Sequence, residues 1–523
     1  MDASTIPRLV DEAADRFGDH EAFVDGDIRW SFTGYRDQIH RAARALMARG
    51  IQPGDRVAIW APNIAEWAVA ALGAHCVGGV LVPINTRFKG REAGDLLDRT
   101  SARLLFTVTD FLDTDYVGLL REAGADGVDT VILRGSVPDG CTPWREFTAM
   151  ADRVDDTART MRSAAVGPDD FCNIMFTSGT TGAPKGAMLR HGAVCRSYRS
   201  WCDVIGLGED DRYLVVNPFF HSFGLHAGIL ACLMTGATLV PHPVFDVPSV
   251  MVRVPEERIS VLPGPPAIYQ TILNHPDLDD FDMSTLRLAV TGAAPVPVPM
   301  IEAMRQRLGF ETIITGYGLT EASGIATMCR HDDPPELISG SSGRALDDVE
   351  VLVVDADGTT MPAGEPGEVV IRGYNVMVGY LDDPGQTAEA IDADGWLHTG
   401  DIGVMDENGY LDITDRLKDM FINGGFNVYP AEVESLLLAH PLIGRVAVVG
   451  VHDERLGEVG MAFVVPATGA EPDTAEIISW ARREMANYKA PRHVEVVDDL
   501  PVNASGKVLK QVLRDRAVAL LNS

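Results

Sequence analysis

Residues 177–188 read TSGTTGAPKGAM. Small hydroxyl residues and glycines run through Thr177, Ser178, Gly179, Thr180, Thr181 and Gly182, and Lys185 follows between Pro184 and Gly186. Such a stretch suits a loop that wraps phosphate, because glycine lets successive backbone N–H groups converge on one anion. It is not a Walker A loop. That motif requires a hydroxyl directly after the lysine to hold a metal, and Gly186 stands there instead. A plain glycine-rich surface loop is the alternative, and the stretch taken alone weighs the two equally.

Outward from this loop, between residue 30 and about residue 400, short β-rich apolar runs alternate with helical patterns. RVAIW (from Arg56) reads as a strand, and a helix follows through Glu66 to His75. VLVPI, a helix through Ala93–Leu97, and RLLFTV come next. YLVVN, SVLPG, LRLAVTG and ETIITGYG continue the series, with helices such as VPMIEAMRQRL between strands. This alternation predicts a large α/β region of mostly parallel sheets. Near residue 345 the pattern changes. VEVLVVDADGTTMPAGEPGEVVIRG reads as paired strands, Pro430 sits where a helix starts, and RVAVVGV and MAFVVPA are two more strands before two final helical stretches. The last block has the size of a small α+β domain. The expected boundary lies within DRLKD, giving domains 1–417 and 418–523.

The chain has 523 residues, too many for one ordinary core. Its hydrophobic share of 46% and charged share of 23% are those of a globular protein. A net charge of −31 opposes nucleic acid or an anionic membrane as a general partner. Local donors still decide what a cleft binds, because screening acts over about 8 Å. The seven cysteines are scattered without a CxxC pair, which predicts neither disulfide framework nor zinc site and fits a reducing cytoplasm. The N-terminal segment reads as an amphipathic helix with Ser4 as its cap rather than a signal peptide. WAVAALGAHCVGGVLVPI, from Trp67, is the most membrane-like run, but His75 and its glycines favour a buried helix followed by a strand, so no integral membrane segment is expected.

Further motifs follow TSGTTGAPKGAM in a fixed order: GYGLTE (Gly316–Glu321), WLHTGD (Trp396–Asp401), DRLKD (Asp415–Asp419), GGFNVYPAEVE (from Gly424) and NASGKVLK (Asn503–Lys510). Together they resemble the adenylate-forming superfamily of acyl-CoA synthetases, luciferases and peptide-synthetase adenylation domains, over nearly the whole chain. The resemblance implies a large N-terminal domain that binds ATP and an acid, and a smaller, mobile C-terminal domain. It implies ATP, Mg²⁺ and coenzyme A as partners of the reaction, and it leaves a homodimer open.

Residue by residue, the resemblance places the loop Thr177–Gly182 with Lys185 over the β- and γ-phosphates. Gly292, Ala293 and Ala294 match the adenine-side turn, although a generic strand end is the alternative. Gly316, Tyr317 and Gly318 match the adenine site, with Tyr317 stacking on the base; ordinary core packing is the alternative. Thr320 would contact the α-phosphate, and Glu321, with Thr177, would hold the metal. Asp401 matches the carboxylate that accepts both ribose hydroxyls, and Arg416 a second ribose or phosphate contact; a surface ion pair is the alternative for each. Lys507 matches the lysine that bridges carboxylate and α-phosphate, a task suited to a point charge on a flexible stem. Lys510 stands where many relatives carry arginine. Lys418 matches the hinge, and Gly424 and Gly425 would face the pantetheine channel. Hinge motion has a physical reason: Lys507 must reach the carbonyl during adenylation, and a thiol must reach it afterwards.

NPFFHSFG (Asn217–Gly224) resembles the motif that lines the acyl pocket. His221 would gate it, with a satisfied core histidine as the alternative. Phe223, Gly318, His226, Tyr317 and the ASG after Glu321 would shape it. No acidic residue lies in that stretch to pair with a substrate ammonium, which favours an uncharged acyl tail. LPGPPAIYQ, GYNVMVGYLDD and DRLKDMFINGGFNVYPAEVE bring the chain near actinobacterial CoA ligases that act on propionate side chains of steroid-derived fused rings. Linear fatty-acid ligases share most of these words and stay open as an alternative. An enzyme loading a carrier-protein thiol, and a non-catalytic binding relative, stay open too.

Overall fold

The computed structural model describes residues 3–177, 184–292, 296–416, 419–423, 426–453, 456–485, 487–502 and 508–521, with the side chains of 415, 416, 422, 426 and 427 left aside. The chain forms two compact units, Met1–Val351 with Ile371–Leu397, and Leu352–Val370 with His398–Ser523. Leu417 and Lys418, where the sequence places the boundary, lie outside the described residues.

The first unit holds two large sheets. In one, the spatial order is Gly379–Tyr380, Lys185–Arg190, Phe171–Thr177, Val80–Pro83, Arg56–Trp60, Leu104–Thr107, Asp129–Ile132 and Thr142–Pro143. From Phe171–Thr177 to Thr142–Pro143 the neighbours run parallel. At the other edge Phe171–Thr177 and Lys185–Arg190 form an antiparallel hairpin, in which Thr177 pairs with Lys185. Thr177 and Lys185, the described residues on either side of this stretch, therefore sit on the two strands of a hairpin and not on the strand-to-helix arrangement of a Walker A site.

The second sheet runs Ile28–Ser31, Glu21–Asp25, Thr238–Pro241 and Arg212–Val215, then continues as Leu288–Gly292, Thr312–Tyr317, Thr327–Met328 and Arg344–Ala345. SVLPG does not form a full strand. Val261 alone makes parallel bridges to Tyr213 and Leu288, stitching the two halves together. Pro263 and Pro265 explain the brevity, since proline cannot donate to a ladder.

The run from Trp67 is the helix Ala65–Cys76, buried on nearly every face. That explains its all-round hydrophobicity without a membrane. No helix among the described residues is long and apolar enough to cross a membrane. Gly73 is required there, because a Cβ would lie 3.0 Å from Ala42 Cβ on the packed helix Phe32–Ala48. The first helix is Ile6–Phe17, and its N-cap is Thr5 rather than the expected Ser4, without a side-chain cap bond.

A further four-stranded sheet has the order Val349–Val354, Pro366–Gly373, Leu397–Met405 and Leu411–Arg416, and the boundaries between the units fall within its first three strands. The terminal part of the second unit is α+β. Ile443–Asp453 and Gly457–Pro466 are antiparallel, flanked by Phe421–Asn423, Phe426–Val428 and His493–Val496. Strand residues alternate between two cores. Val448, Ala462 and Val464 pack with Val433, Leu437, Ile477 and Ala481 from the helices Pro430–Leu437 and Thr474–Glu484. Ala447, Val449, Met461 and Phe463 pack with Leu513 and Ala517 from the helix Lys510–Leu521. That last helix is tied down by Lys510 to Glu434 at 2.9 Å and Arg514 to Asp419 at 2.7 Å.

Candidate active site

In the first unit the hairpin Phe171–Thr177 and Lys185–Arg190 presents Thr177 and Lys185 side by side. Thr177 Oγ1 lies 3.4 Å from Glu321 Oε1. Glu321 sits in the single helical turn Thr320–Ala322, which directly follows the strand Thr312–Tyr317 through Gly318 and Leu319. Its backbone carbonyl accepts from Met377 N–H at 2.7 Å, so the turn is fastened from below. The fold therefore brings Thr177 and Lys185, from one motif, together with Glu321, from another.

Tyr380, absent from the sequence-based site, connects them. Its hydroxyl donates to Glu321 Oε1 at 2.9 Å. Lys185 Nζ lies 5.0 Å from the centroid of its ring, a cation–π contact, and donates to Gln386 Oε1. Burial, and next the Glu321 carboxylate, push the Tyr380 phenol above its ordinary pKa, so it remains a proton donor. Arg99 holds the base of the loop, donating to Pro184 C=O at 2.8 Å while its guanidinium lies 5.1 Å from the Phe176 ring centroid. An open cavity of about 220 Å³ is lined by Arg99, Pro184, Lys185, Tyr380 and Gln386 among others. Tyr380 lies in the GYNVMVGYLDD phrase, but a lone tyrosine after a glycine carries no spacing that marks it.

Gly292 and Gly316 are register partners at the carboxyl ends of two parallel strands. A Cβ on Gly292 would lie 2.9 Å from Gly316 O, and one on Gly318 would lie 2.4 Å from Gly324 O. This leaves a bare backbone shelf at the strand ends, where open α/β sheets place their ligands. Tyr317 is half-buried beside that shelf, and Thr320 is half-buried in the turn.

The loop containing Asn217–Gly224 is pinned by Asn63. Its Oδ1 accepts from Phe219 N–H at 2.7 Å, and its Nδ2 donates to Asn217 C=O at 2.9 Å. His221 Nδ1 accepts from Phe223 N–H at 3.2 Å, which assigns its ring proton to Nε2. The side chain is exposed, and partial desolvation by its surroundings lowers its pKa, so it is neutral at pH 7. Phe223 is half-buried in the turn Ser222–Gly224. His226 is fully buried, and its Nε2 lies 2.9 Å from Asn173 Nδ2.

In the second unit Asp401 is 4% exposed on Leu397–Met405 and is the register partner of Arg416. Ser178, Gly179, Thr180, Thr181, Gly182, Ala293, Ala294, Lys418, Gly424, Gly425 and Lys507 lie outside the described residues.

Among the described residues no cluster of three His, Cys, Asp or Glu side chains forms a metal cage. Glu321 with the Thr177 hydroxyl nevertheless fits magnesium, which is held by one or two carboxylates together with substrate phosphates and water.

The AMP-binding enzyme family matches residues 10–381, and the AMP-binding enzyme C-terminal domain matches 432–507. The chain is 48% identical over 518 residues to the 3-[(3aS,4S,7aS)-7a-methyl-1,5-dioxo-octahydro-1H-inden-4-yl]propanoyl:CoA ligase of Rhodococcus jostii, covering 98% of each chain. It is 49% identical over 514 residues to the ligase of the same name from Mycobacterium tuberculosis, covering 98% of this chain and 99% of that one. Among solved structures, an anthranilate CoA ligase in complex with anthranoyl-AMP superposes with a TM-score of 0.89 at 27% identity, covering 99% of this chain and 98% of that one. The chain belongs to the AMP-binding enzyme family, as one of its acyl-CoA synthetases.

Proposed function

We propose that the chain joins a hydrophobic, ring-bearing propionate to coenzyme A, first forming an acyl-adenylate and pyrophosphate from ATP and then an acyl-CoA and AMP. The observation that carries this reading is the convergence of Thr177, Lys185, Glu321 and Tyr380 beside a glycine shelf at the strand ends.

The chemistry requires such a cluster. A carboxylate must approach the α-phosphorus of a polyanion, and preorganised positive charge offsets that repulsion. Lys185 supplies one charge against the phosphates, and Glu321 with Thr177 would hold a magnesium ion that would supply more when bound. The glycine shelf of Gly292, Gly316 and Gly318 accepts the adenine and α-phosphate, with Tyr317 against the base and Thr320 at the phosphate. Asp401 and Arg416 take the ribose, and Lys507 bridges carboxylate and α-phosphate. The resulting adenylate turns a poor oxide leaving group into AMP, which a thiol displaces. Domains 1–417 and 418–523, hinged at Lys418, admit that thiol along Gly424 and Gly425.

The acid is argued from chemistry and kinship. NPFFHSFG offers aromatic surface and a neutral His221 but no carboxylate to pair with a substrate amine. Kinship at 48% and 49% to ligases of an indane-dione propanoyl group supports a fused-ring propionate. The test compares kcat/KM, by AMP release, for a fused-ring propionate and a linear acid of similar size. A tenfold or greater preference for the ring acid is expected. A preference for the linear acid would overturn the substrate assignment.

A further inference from the structure

A chain of buried polar groups lies behind the site. His75 on the helix Ala65–Cys76, Asn173 on the strand Phe171–Thr177 and His226 in the π-helical segment Leu225–Leu230 are each fully buried. His75 Nε2 lies 3.0 Å from Asn173 Oδ1, and Asn173 Nδ2 lies 2.9 Å from His226 Nε2. One side-chain amide thus joins two imidazoles from two other elements. Three such groups in an apolar interior cost stability unless each finds its partner. A single wider helical turn is itself a feature enriched at functional sites.

The hydrogen-bond chemistry fixes a direction. An amide oxygen only accepts, so His75 donates through Nε2–H. The amide nitrogen only donates, so His226 Nε2 accepts and its proton sits on Nδ1. The backbone of Ser323 lies close enough to His226 to favour a proton on its ring. Nδ1 of His226 and Nδ1 of His75 are buried without a hydrogen-bond partner of their own. Burial lowers the pKa of His75 to about 4 and that of His226 to about 3, so both rings are neutral and their tautomers are locked through the working pH range.

The placement of the three residues gives the chain its significance. Asn173 lies on the strand that ends in Thr177. Ser323 follows Glu321 by two residues, its hydroxyl donates to Asn375 C=O at 2.8 Å, and its φ is +56°, so that turn is held in an unusual backbone conformation. His226 continues the segment that begins at His221, and its ring lies 5.1 Å from that of Tyr198. Tyr198 OH and Ser222 Oγ in turn crowd Gly324, where a Cβ would meet them at 2.5 and 2.9 Å. One hydrogen-bonded unit therefore touches the strand bearing Thr177, the turn bearing Glu321 and the segment bearing His221.

We propose that Asn173 and His226 are positioning residues that hold the acyl-pocket wall in register with the Thr177–Glu321 pair, so that the seating of the acid and the alignment of ATP are set together. This rests on the reading of Asn217–Gly224 as the segment that lines the acyl pocket. Neither residue contacts a reacting atom.

The test uses the full-length enzyme with Asn173→Leu, His226→Leu, the double variant, and His226→Gln, whose amide can still accept from Asn173. Wild-type enzyme is first assayed for acid-dependent pyrophosphate release; its absence would remove the functional reading and leave the tautomer measurement below to judge the chain. Each leucine variant is expected to lower kcat of adenylation and raise KM for the acid, by about tenfold in kcat/KM, while thioester formation from supplied acyl-AMP changes less than threefold. The double variant is expected to be no worse than the poorer single one, because both remove the same bond. His226→Gln is expected to recover most of the loss. Equal losses in both half-reactions that track Tm would overturn the proposal, as would fully additive effects. Where a leucine variant fails to fold, ¹⁵N-histidine spectra of the wild type decide. They should show His226 as the neutral Nδ1–H tautomer and His75 as the neutral Nε2–H tautomer from pH 6 to 8. A charged or rapidly exchanging pair would contradict the chain.

Discussion

Tyr380 donates a 2.9 Å hydrogen bond to Glu321 while its ring carries the ammonium of Lys185 at 5.0 Å, so one side chain holds both an acid and a base of the candidate phosphate site. The two groups belong to motifs far apart in sequence, and their spacing is set by a residue from a third.

Removing only the hydroxyl isolates that relationship. Tyr380→Phe keeps the cation–π platform and deletes a hydrogen bond to a charged group, whose loss is commonly worth about 1.5–3 kcal/mol. Water replaces part of it at this rim, so the expected effect is near the lower end, about tenfold in the Mg²⁺ concentration needed for half-maximal ATP binding. Calorimetric titration of ATP across a magnesium series measures it. A shift under twofold would show that Glu321 is oriented without Tyr380.

Gly318 tests the bare shelf. In Gly318→Ala the new methyl would meet backbone, Gly324 O and Ile325 Cα both at 2.4 Å, which no side-chain rotation relieves. Overpacking of this kind costs about 1–3 kcal/mol. A lowered Tm with nucleotide affinity reduced at least tenfold is expected. Gly340→Ala, where nothing lies within 4 Å, is the control and should leave both unchanged. Equal behaviour of the two variants would contradict the shelf.

The buried histidines predict an acid-side loss of stability. Burial depresses the folded pKa of His75 to about 4 and of His226 to about 3, from the ordinary 6.5. Above pH 6.5 both states are neutral and stability is full. As pH falls below 6.5 the unfolded chain binds protons that the folded one refuses, so stability declines until the folded values are reached. Each ring contributes about 2 kcal/mol of loss between pH 6.5 and 5. Calorimetric Tm should therefore fall from pH 7 to pH 5, and fall less in His75→Gln. An equal fall in the variant would contradict the assignment.

The role proposed for Lys507 is in the adenylation step alone. Lys507→Ala is expected to slow acyl-AMP formation by a hundredfold or more, while thioester formation from supplied acyl-AMP stays within a few fold; preorganised charge of this kind contributes about 3–4 kcal/mol. Rapid-quench measurement of each half-reaction checks it. Equal loss in both would reassign the lysine.

Much of the fold was legible because its signals are local. VPMIEAMRQRL is the helix Val298–Leu308, and RVAIW is the strand Arg56–Trp60. The SVLPG run misled because apolar periodicity does not report prolines interrupting a ladder, and only Val261 pairs. At the N-terminus, serine ranks above threonine as a cap by type, yet backbone geometry puts Thr5 in the cap position without a side-chain bond. The candidate site was legible where a motif concentrates residues, as in GYGLTE. Tyr380 and Asn173 escaped because each acts through a partner 59 or 53 positions away, Glu321 and His226, and no local pattern records such a distance. The complete burial of His226 is likewise something the sequence does not display.

The most direct measurement of the central claim separates the two half-reactions in the wild-type enzyme. With ATP, Mg²⁺ and a fused-ring propionate but no coenzyme A, the account predicts one equivalent of pyrophosphate per site and enzyme-bound acyl-AMP, followed by AMP and acyl-CoA when the thiol is added. Release of ADP and inorganic phosphate, or pyrophosphate release that does not depend on the acid, would contradict it.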